Sequence, residues 1–500
     1  MLKKLASQTA VYGLSSILAR LVNYLLVPLH THTLDSASDY GTIAYYYSFA
    51  ALLNVIYTHG METAFFRFAS KKEANQKEVY NTALTSVFVV SLLVSGLILF
   101  FSEDIAASIG FPKQAFYVRW FAYIMGIDAL LAIPFAKLRQ ENKAFLFATV
   151  RLLMVFANVG LNLFFLSLCK NIYEGAYLTN YQNLVSKIYD PTLGPGYAFY
   201  CNLISNALAI PLLAKYFLKW RPTFNLASIK PLWVYGYPLI FSGIAFAINE
   251  VMDKILLRAW LPEGFYQNYD TMGAVGVYSG CYKLSIFITI AVQAYRYAAE
   301  PFFFAKANEK DSPQTYAVIM KYFVIICCLM MIAVMANLDW LSLLFLGKPE
   351  YREGLGIVPI LLLANVFLGI YYNLAVWFKV TDQTHFGAYI GIGGALITLS
   401  LNFLLIPVLG YFGSAWATLA CYGSMALACF LLGKQYFPIP YTALYNLGYL
   451  FTTVIISFGL YLLDFNSWVI DALVGNFFLF LIIIGIFIKE KKSLKIVWRT

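Results

Sequence analysis

At 500 residues, 61% of them hydrophobic and only 12% charged, with a mean hydropathy of +0.70, the chain carries about half the charge of a soluble domain. That composition excludes a set of soluble globular domains and describes a polytopic membrane protein whose length is used up by spans. The formal charge of +10 and pI near 9.0 would suggest nucleic acid in a soluble protein, but here topology accounts for the basic residues and no nucleic-acid partner is expected.

Residues 1–8 carry Lys3 and Lys4, and the first span follows over about residues 9–31 with Arg20 at its middle. The run is too long for a cleavable signal peptide, has a central arginine and lacks a clear small-residue cleavage site. Further apolar runs cover roughly 41–62, 79–101, 115–138, 144–169, 196–217, 233–258, 274–298, 315–338, 354–379, 385–407, 411–433, 443–463 and 468–488. The expected fold class is therefore an all-α polytopic membrane protein of about fourteen transmembrane helices. With the N-terminus placed inside, most of the 35 Lys and Arg fall on the inner side, including Arg67, Lys71, Lys137, Arg139, Arg151, Lys215 and the tail from Lys489. The positive-inside rule thus favours two cytoplasmic termini. The tail from Lys489 to Thr500 mixes lysines with Leu494, Ile496, Val497 and Trp498, and suits the anionic inner leaflet.

A faint internal repeat is ordered along the chain. Val11-Tyr12-Gly13 recurs as Val234-Tyr235-Gly236, Gly41 as Gly276, Leu161-Asn162 as Leu401-Asn402, and Gly196 and Ala198 as Gly413 and Ala415. The spacing implies a six-helix bundle over 1–222, a second parallel bundle over 223–436, and two appended helices with a basic tail over 437–500. Parallel bundles of this kind suit rocking about a central cavity. The offset between the last two matches places an insertion at 170–195, on the outer side. It carries Tyr173, Tyr177, Tyr181 and Tyr189 with Asn171, Asn180, Asn183 and Gln182. Such residues could stack on sugar rings, or form an interfacial flap held by the tyrosine belt of a membrane surface.

Seven cysteines stand at 169, 201, 281, 327, 328, 421 and 429, mostly in apolar runs and without metal spacing; they read as small core residues. His30 and His32 are close in sequence, but alternate residues diverge on a helix, so no metal or other cofactor is expected. The seventh span holds Asn249, Glu250, Asp253 and Lys254 on one broad helical face, with Gly236, Pro238 and Gly243 weakening the same helix. This patch suits a moving element that binds a coupling ion, or a Glu250–Lys254 pair neutralised near the interface.

Ser16, Arg20, Pro28-Leu29, Leu34, Tyr40-Gly41, Gly60, Ala64 and Arg67-Phe68 form an opening that resembles the bacterial polysaccharide exporters. The pattern is similar to the O-antigen and lipid-linked oligosaccharide flippase family within the multidrug/oligosaccharidyl-lipid/polysaccharide exporter superfamily. The resemblance implies a cargo, an undecaprenyl-pyrophosphate-linked oligosaccharide turned from the inner to the outer leaflet for polysaccharide or lipopolysaccharide assembly. It also implies residence in the bacterial inner membrane, alongside other polysaccharide-assembly proteins. The tyrosine-rich insertion is not part of that pattern.

The intramembrane charges suit an anionic cargo. Arg20 is too deep to reach either interface and offers bidentate donors to a pyrophosphate; the competing reading pairs it with Asp128 in the fourth span. Lys283, Arg296 and the inner-end Arg67 could extend a positive path, although Arg296 and Glu300 are spaced to pair. Asn158 and Asn162, and Asn202 and Asn206, each share a helix face and could bind glycan or bond neighbouring helices. Asp128, Glu250, Asp253 and Lys254 are candidates for proton or sodium coupling, while membrane potential acting on a charged cargo is another driving force. A drug/cation antiporter of the same superfamily is the alternative, disfavoured by a central arginine. A membrane polymerase or ligase would be expected to present a large outer catalytic loop, and no phosphate-binding Gly loop, nucleophile elbow or zinc motif is found. No enzymatic activity is expected.

Overall fold

The computed structural model describes residues 15, 17–71, 75–223, 225–306, 309, 311–463, 465 and 467–497, without the side chains of 298, 300, 301, 305 and 492–497. Lys3, Lys4, the Val11-Tyr12-Gly13 member of the repeat, Ser16, the Glu300 side chain and the tail side chains beyond Lys491 lie outside the described residues. The chain divides into two compact units, Met1–Ile255 and Leu256–Thr500.

The first unit is built from α1 (Leu26–Thr33), α2 (Ala37–Thr58), α3 (Met61–Ala69), α4 (Gln76–Phe100), α5 (Ala115–Gln140), α6 (Ala144–Asn162), α7 (Gly196–Ala207) and most of α8 (Leu226–Trp260). Local chemistry starts these helices where the sequence allows. Ser36 and Asp39 form a reciprocal capping box on α2, and the Asn75 side chain accepts from the Glu78 N–H at 3.3 Å to open α4. Between α2 and α3 the backbone turns left-handed at His59 and Gly60. The segment joining α7 to α8 is seated on α4, where Thr85 Oγ1 accepts from Trp220 Nε1 and from the Thr223 N–H, both at 3.1 Å.

The second unit contains α9 (Thr271–Leu284), α10 (Ile286–Lys306), α11 (Ser312–Ala336), α12 (Val358–Leu374), α13 (His385–Leu409), α14 (Tyr411–Tyr436), α15 (Ala443–Leu462) and α16 (Trp468–Val497). Asp270 caps α9 by accepting from the Gly273 N–H at 2.7 Å. Phe303, Tyr316 and Val376 form a buried cluster, with the Tyr316 hydroxyl donating to the Phe303 carbonyl at 2.8 Å. A cavity of about 950 Å³ opens among α11, α15 and α16, lined by Ile332, Tyr441, Tyr445, Tyr449, Ile482 and Lys489.

Among the described residues, ten helices are long and apolar enough to cross a membrane, or eleven when the bent pair α9–α10 counts as one span. The expected first, second and sixth spans account for the difference from fourteen. The first begins outside the described residues. The second, α2, is diluted by its tyrosines and polar residues, and the sixth breaks at Leu208 and Leu213 around Pro211. The eighth span bends by 48° at Ser285, which periodicity did not foretell. Conversely, Gly236, Pro238 and Gly243 do not break α8, which runs unbroken for 35 residues. In α16 only 6% of the apolar window is buried, so most side chains of that window face away from the rest of the protein.

One pair from the expected repeat makes the same local bond in each unit. The Asn162 amide donates to the Asn158 carbonyl at 2.8 Å, and the Asn402 amide to the Thr398 carbonyl at 2.8 Å. Each asparagine caps a carbonyl one turn back and turns its remaining oxygen to another helix, a use of intramembrane amides that stabilises helix pairs.

Candidate functional site

Helices α1, α5, α6 and α7 bring a polar network into the apolar body of the first unit. Residues on α6 repeat on one face: Arg151 and Asn158 stand two turns apart, and Asn162 follows one turn later. Opposite them, the first span carries Arg20, Asn23 and His30. The Asn158 amide donates to Asn23 Oδ1 at 3.4 Å, and His30 Nε2 lies 2.9 Å from Asn162 Oδ1. Asn162 also donates to Asn158 Oδ1 at 3.1 Å, so the expected pair is one bonded unit. His32 turns away and its Nδ1 meets the Pro28 carbonyl at 2.7 Å.

The second asparagine pair is tied to an acid. Asn206 Nδ2 donates to Asp128 Oδ1 at 2.8 Å and to Asn202 Oδ1 at 3.1 Å. The guanidinium whose charge acts on Asp128 is Arg151, not Arg20. Arg151 also experiences the charges of Glu62, Arg139 and Arg20, and Arg139 is hydrogen-bonded to Glu62. Three guanidiniums therefore share one region with two carboxylates. Arg20 is exposed and within electrostatic range of Arg151. Sequence reasoning assigned Arg139 and Arg151 to the inner segments, weighed His30 only as a metal ligand and did not use Glu62 or Asn23. The seven-residue interval from Arg151 to Asn158 was the available signal.

Other predicted residues stand apart from this network. Arg67, exposed on α3, places its guanidinium over the Tyr235 ring at 4.4 Å. In α8, Lys254 Nζ pairs with Asp253 Oδ1 at 2.9 Å, and that oxygen also accepts the Lys254 N–H at 2.8 Å. The expected Glu250–Lys254 neighbour pair is thus replaced by a buried pair of adjacent residues; Asn249 is buried with them and Glu250 is exposed. In the second unit Lys283 occupies the last turn of α9, just before the break. Arg296 lies over the Tyr372 ring at 4.0 Å, a cation–π contact that holds its planar head.

Among the described residues, no group of three or more His, Cys, Asp or Glu could hold a metal ion. All seven cysteines are buried and free. The arrangement offers charge and hydrogen bonds within an apolar helical body, which is equipment for binding a polar group there.

Comparison with known proteins agrees with this architecture. Among solved structures, the chain is similar to the lipid II flippase MurJ in an inward closed conformation: 16% identity, 96% of this chain and 99% of that chain covered, TM-score 0.71. A multidrug resistance MATE family transporter of the MOP superfamily, inward-facing, gives 15% identity, coverage of 83% and 93%, and a TM-score of 0.64. A MOP superfamily transporter from Pyrococcus furiosus gives 15%, coverage of 86% and 95%, and 0.59. At these identities the likeness is one of fold. No curated protein matches. The family model described as "Polysaccharide biosynthesis protein" matches residues 34–353, more than half of the 500-residue chain. With that match over more than half of its length, carried on an all-helical fold similar to these structures, the chain belongs to the polysaccharide biosynthesis protein family.

Proposed function

We propose that the chain flips an undecaprenyl-pyrophosphate-linked oligosaccharide from the inner to the outer leaflet of a bacterial plasma membrane, by alternating access, for O-antigen, lipopolysaccharide or related polysaccharide assembly. The observation that carries this reading is the gathering of guanidiniums in the first unit, where Arg20, Arg139 and Arg151 share a region with Asp128 and Glu62. Arg139 is engaged by Glu62 and Arg151 acts on Asp128. A pyrophosphate received at Arg20 and Arg151 accepts planar, bidentate donors. Asn202, half-buried beside that anchor, offers its amide N–H groups to the glycan, while Asn158, Asn162 and Asn206 are buried and bonded within the bundle and hold the site's shape. Arg67 greets the headgroup at the inner face, and Lys283 and Arg296 provide a second cationic station. The six-helix halves 1–222 and 223–436 exchange access, with 437–500 appended and both termini cytoplasmic. Asp128, and the Asn249–Glu250–Asp253–Lys254 patch, are where a proton or sodium ion couples. A cationic-drug antiporter needs the opposite charge majority.

The test is complementation of a flippase-deficient strain. Arg20→Ala and Arg151→Ala should each abolish surface glycan while protein abundance stays normal. Arg20→Lys should recover little, because an ammonium cannot make the planar two-point contact. Wild-type surface glycan in both alanine variants would overturn the assignment.

A further inference from the structure

The insertion at 170–195 lies outside the charge network and outside the pattern of the exporters, yet it is folded and sided. It begins where an apolar helical run ends: Ala144–Tyr173 is one candidate span. At that end Lys170 Nζ donates to the Thr33 carbonyl at 2.7 Å and to Asp35 Oδ1 at 2.6 Å. The insertion therefore starts at the depth where hydrocarbon gives way to headgroups.

Its inner side is fastened by aromatic stacking. Tyr189 stacks on Tyr197 at 5.1 Å and 6°, Tyr197 stacks on Phe165 at 5.0 Å and 19°, and Tyr173 leans on Tyr189 at 5.5 Å. The Asp190 N–H donates to the Tyr197 hydroxyl at 2.7 Å, and Ile172 and Val185 are buried. The other side is a different surface. Tyr177, Tyr181, Leu184 and Ile188, spread over short turns rather than one helix, are between 42% and 59% exposed. Leu178 adds to it.

Two of the insertion's four amides are already occupied, and Asn180 and Asn183 remain exposed. Asn171 Nδ2 donates to the Ser167 carbonyl at 2.7 Å and Gln182 Nε2 to the Tyr173 carbonyl at 3.3 Å. The charges of the insertion are Lys170, Lys187, Glu174 and Asp190, which balance. An apolar stripe with tyrosines at its edge, no net charge, and direct continuity with a lipid-facing span has one fitting partner.

We infer that the insertion is an interfacial anchor, with Tyr177, Tyr181, Leu184 and Ile188 seated in the headgroup–acyl boundary of the outer leaflet. It fixes the outer ends of the first and fifth spans to the membrane surface, since Lys170 links one to the other. The contact is apolar, so it does not depend on anionic lipid.

The full-length protein in proteoliposomes tests this without reference to transport. Nitroxide labels go on Tyr181→Cys and Leu184→Cys, with Lys113→Cys as the water-facing control; the seven native cysteines are buried. Collision with oxygen should exceed collision with a water-soluble nickel chelate several-fold at 181 and 184, with the order reversed at 113. Exchanging phosphatidylcholine for phosphatidylglycerol should change nothing. Dominant nickel collisions at 181 and 184 would overturn the anchor in favour of a solvent-exposed surface. Loss of both collisions would overturn it in favour of a second copy or another protein covering the stripe. Protection from both by added oligosaccharide would overturn it in favour of a glycan platform.

Discussion

A close backbone approach in the first unit lies between the α2–α3 break and α8. Gly60 has φ +73°, and a Cβ built on it would stand 2.7 Å from the Gly236 carbonyl oxygen. A Cβ on Gly236 would stand 2.9 Å from the His59 carbonyl oxygen. Around this contact the His59 ring stacks on Trp233 at 4.9 Å, and both side chains bond Ser86 Oγ, at 2.8 and 3.1 Å. Gly60→Ala meets two penalties: about 1–2 kcal/mol for a left-handed alanine and about 1–3 kcal/mol for overpacking against backbone that cannot turn aside. The sum is roughly 2–5 kcal/mol. Gly236→Ala sits in a right-handed helix and meets only the second, about 1–3 kcal/mol. Thermal unfolding in detergent, compared at one scan rate because such unfolding is often irreversible, should rank wild type above Gly236→Ala and Gly236→Ala above Gly60→Ala. The double variant should fall short of the sum, because both methyls enter one contact. If Gly60→Ala melts with wild type, or above Gly236→Ala, the reasoning from close approach is wrong.

Three further outcomes follow from named contacts. Asn162→Leu removes the partner of buried His30 and the donor to Asn158, and should cost about 1–3 kcal/mol in the same melt; a neutral result would mean that His30 finds another partner. Lys254→Met removes the ammonium from buried Asp253 and should cost about 3–5 kcal/mol, largely recovered by adding Asp253→Asn; equal loss in the single and double variants would argue against the pair. Beyond the end of α5, burial alone would raise the Glu141 carboxyl, but bonds from Lys143 Nζ at 2.6 Å and the Tyr216 hydroxyl at 3.0 Å outweigh it and hold the group below its ordinary value. A lowered native pKa contributes stability that is complete above the ordinary carboxyl range and lost as pH falls through the native value. Wild type should therefore melt above Glu141→Gln at neutral pH, and the gap should close in acid.

Much of the molecule was legible along the chain because its determinants are local. Long apolar runs must become helices in a membrane, where unpaired backbone groups are too costly. The caps that Ser36 and Asp39, and Asn75 and Glu78, place on helix starts are equally local, but they were recognised only in the structure. The asparagine pairs were visible because their partners lie one turn away on the same helix. Arg20 stood out because a charge in the middle of an apolar run is rare. The integrity of spans was harder to read. Pro238 leaves α8 continuous, while Ser285, with neither Pro nor Gly beside it, marks a 48° bend. Helix breaks depend on what neighbouring helices can repair.

Only the tertiary structure chose the partners. His30 and Asn162 are 132 positions apart, and Asn206 and Asp128 are 78 apart. Residue type says that a buried amide or carboxylate needs a partner, but several were available to each. Helix packing selected Arg151 over Arg20 for Asp128, and the adjacent Asp253 over Glu250 for Lys254. Periodicity assigns a side chain to a face of its own helix; which helix that face meets is decided when the bundle closes, through the packing and hydrogen bonds of residues far apart in the chain.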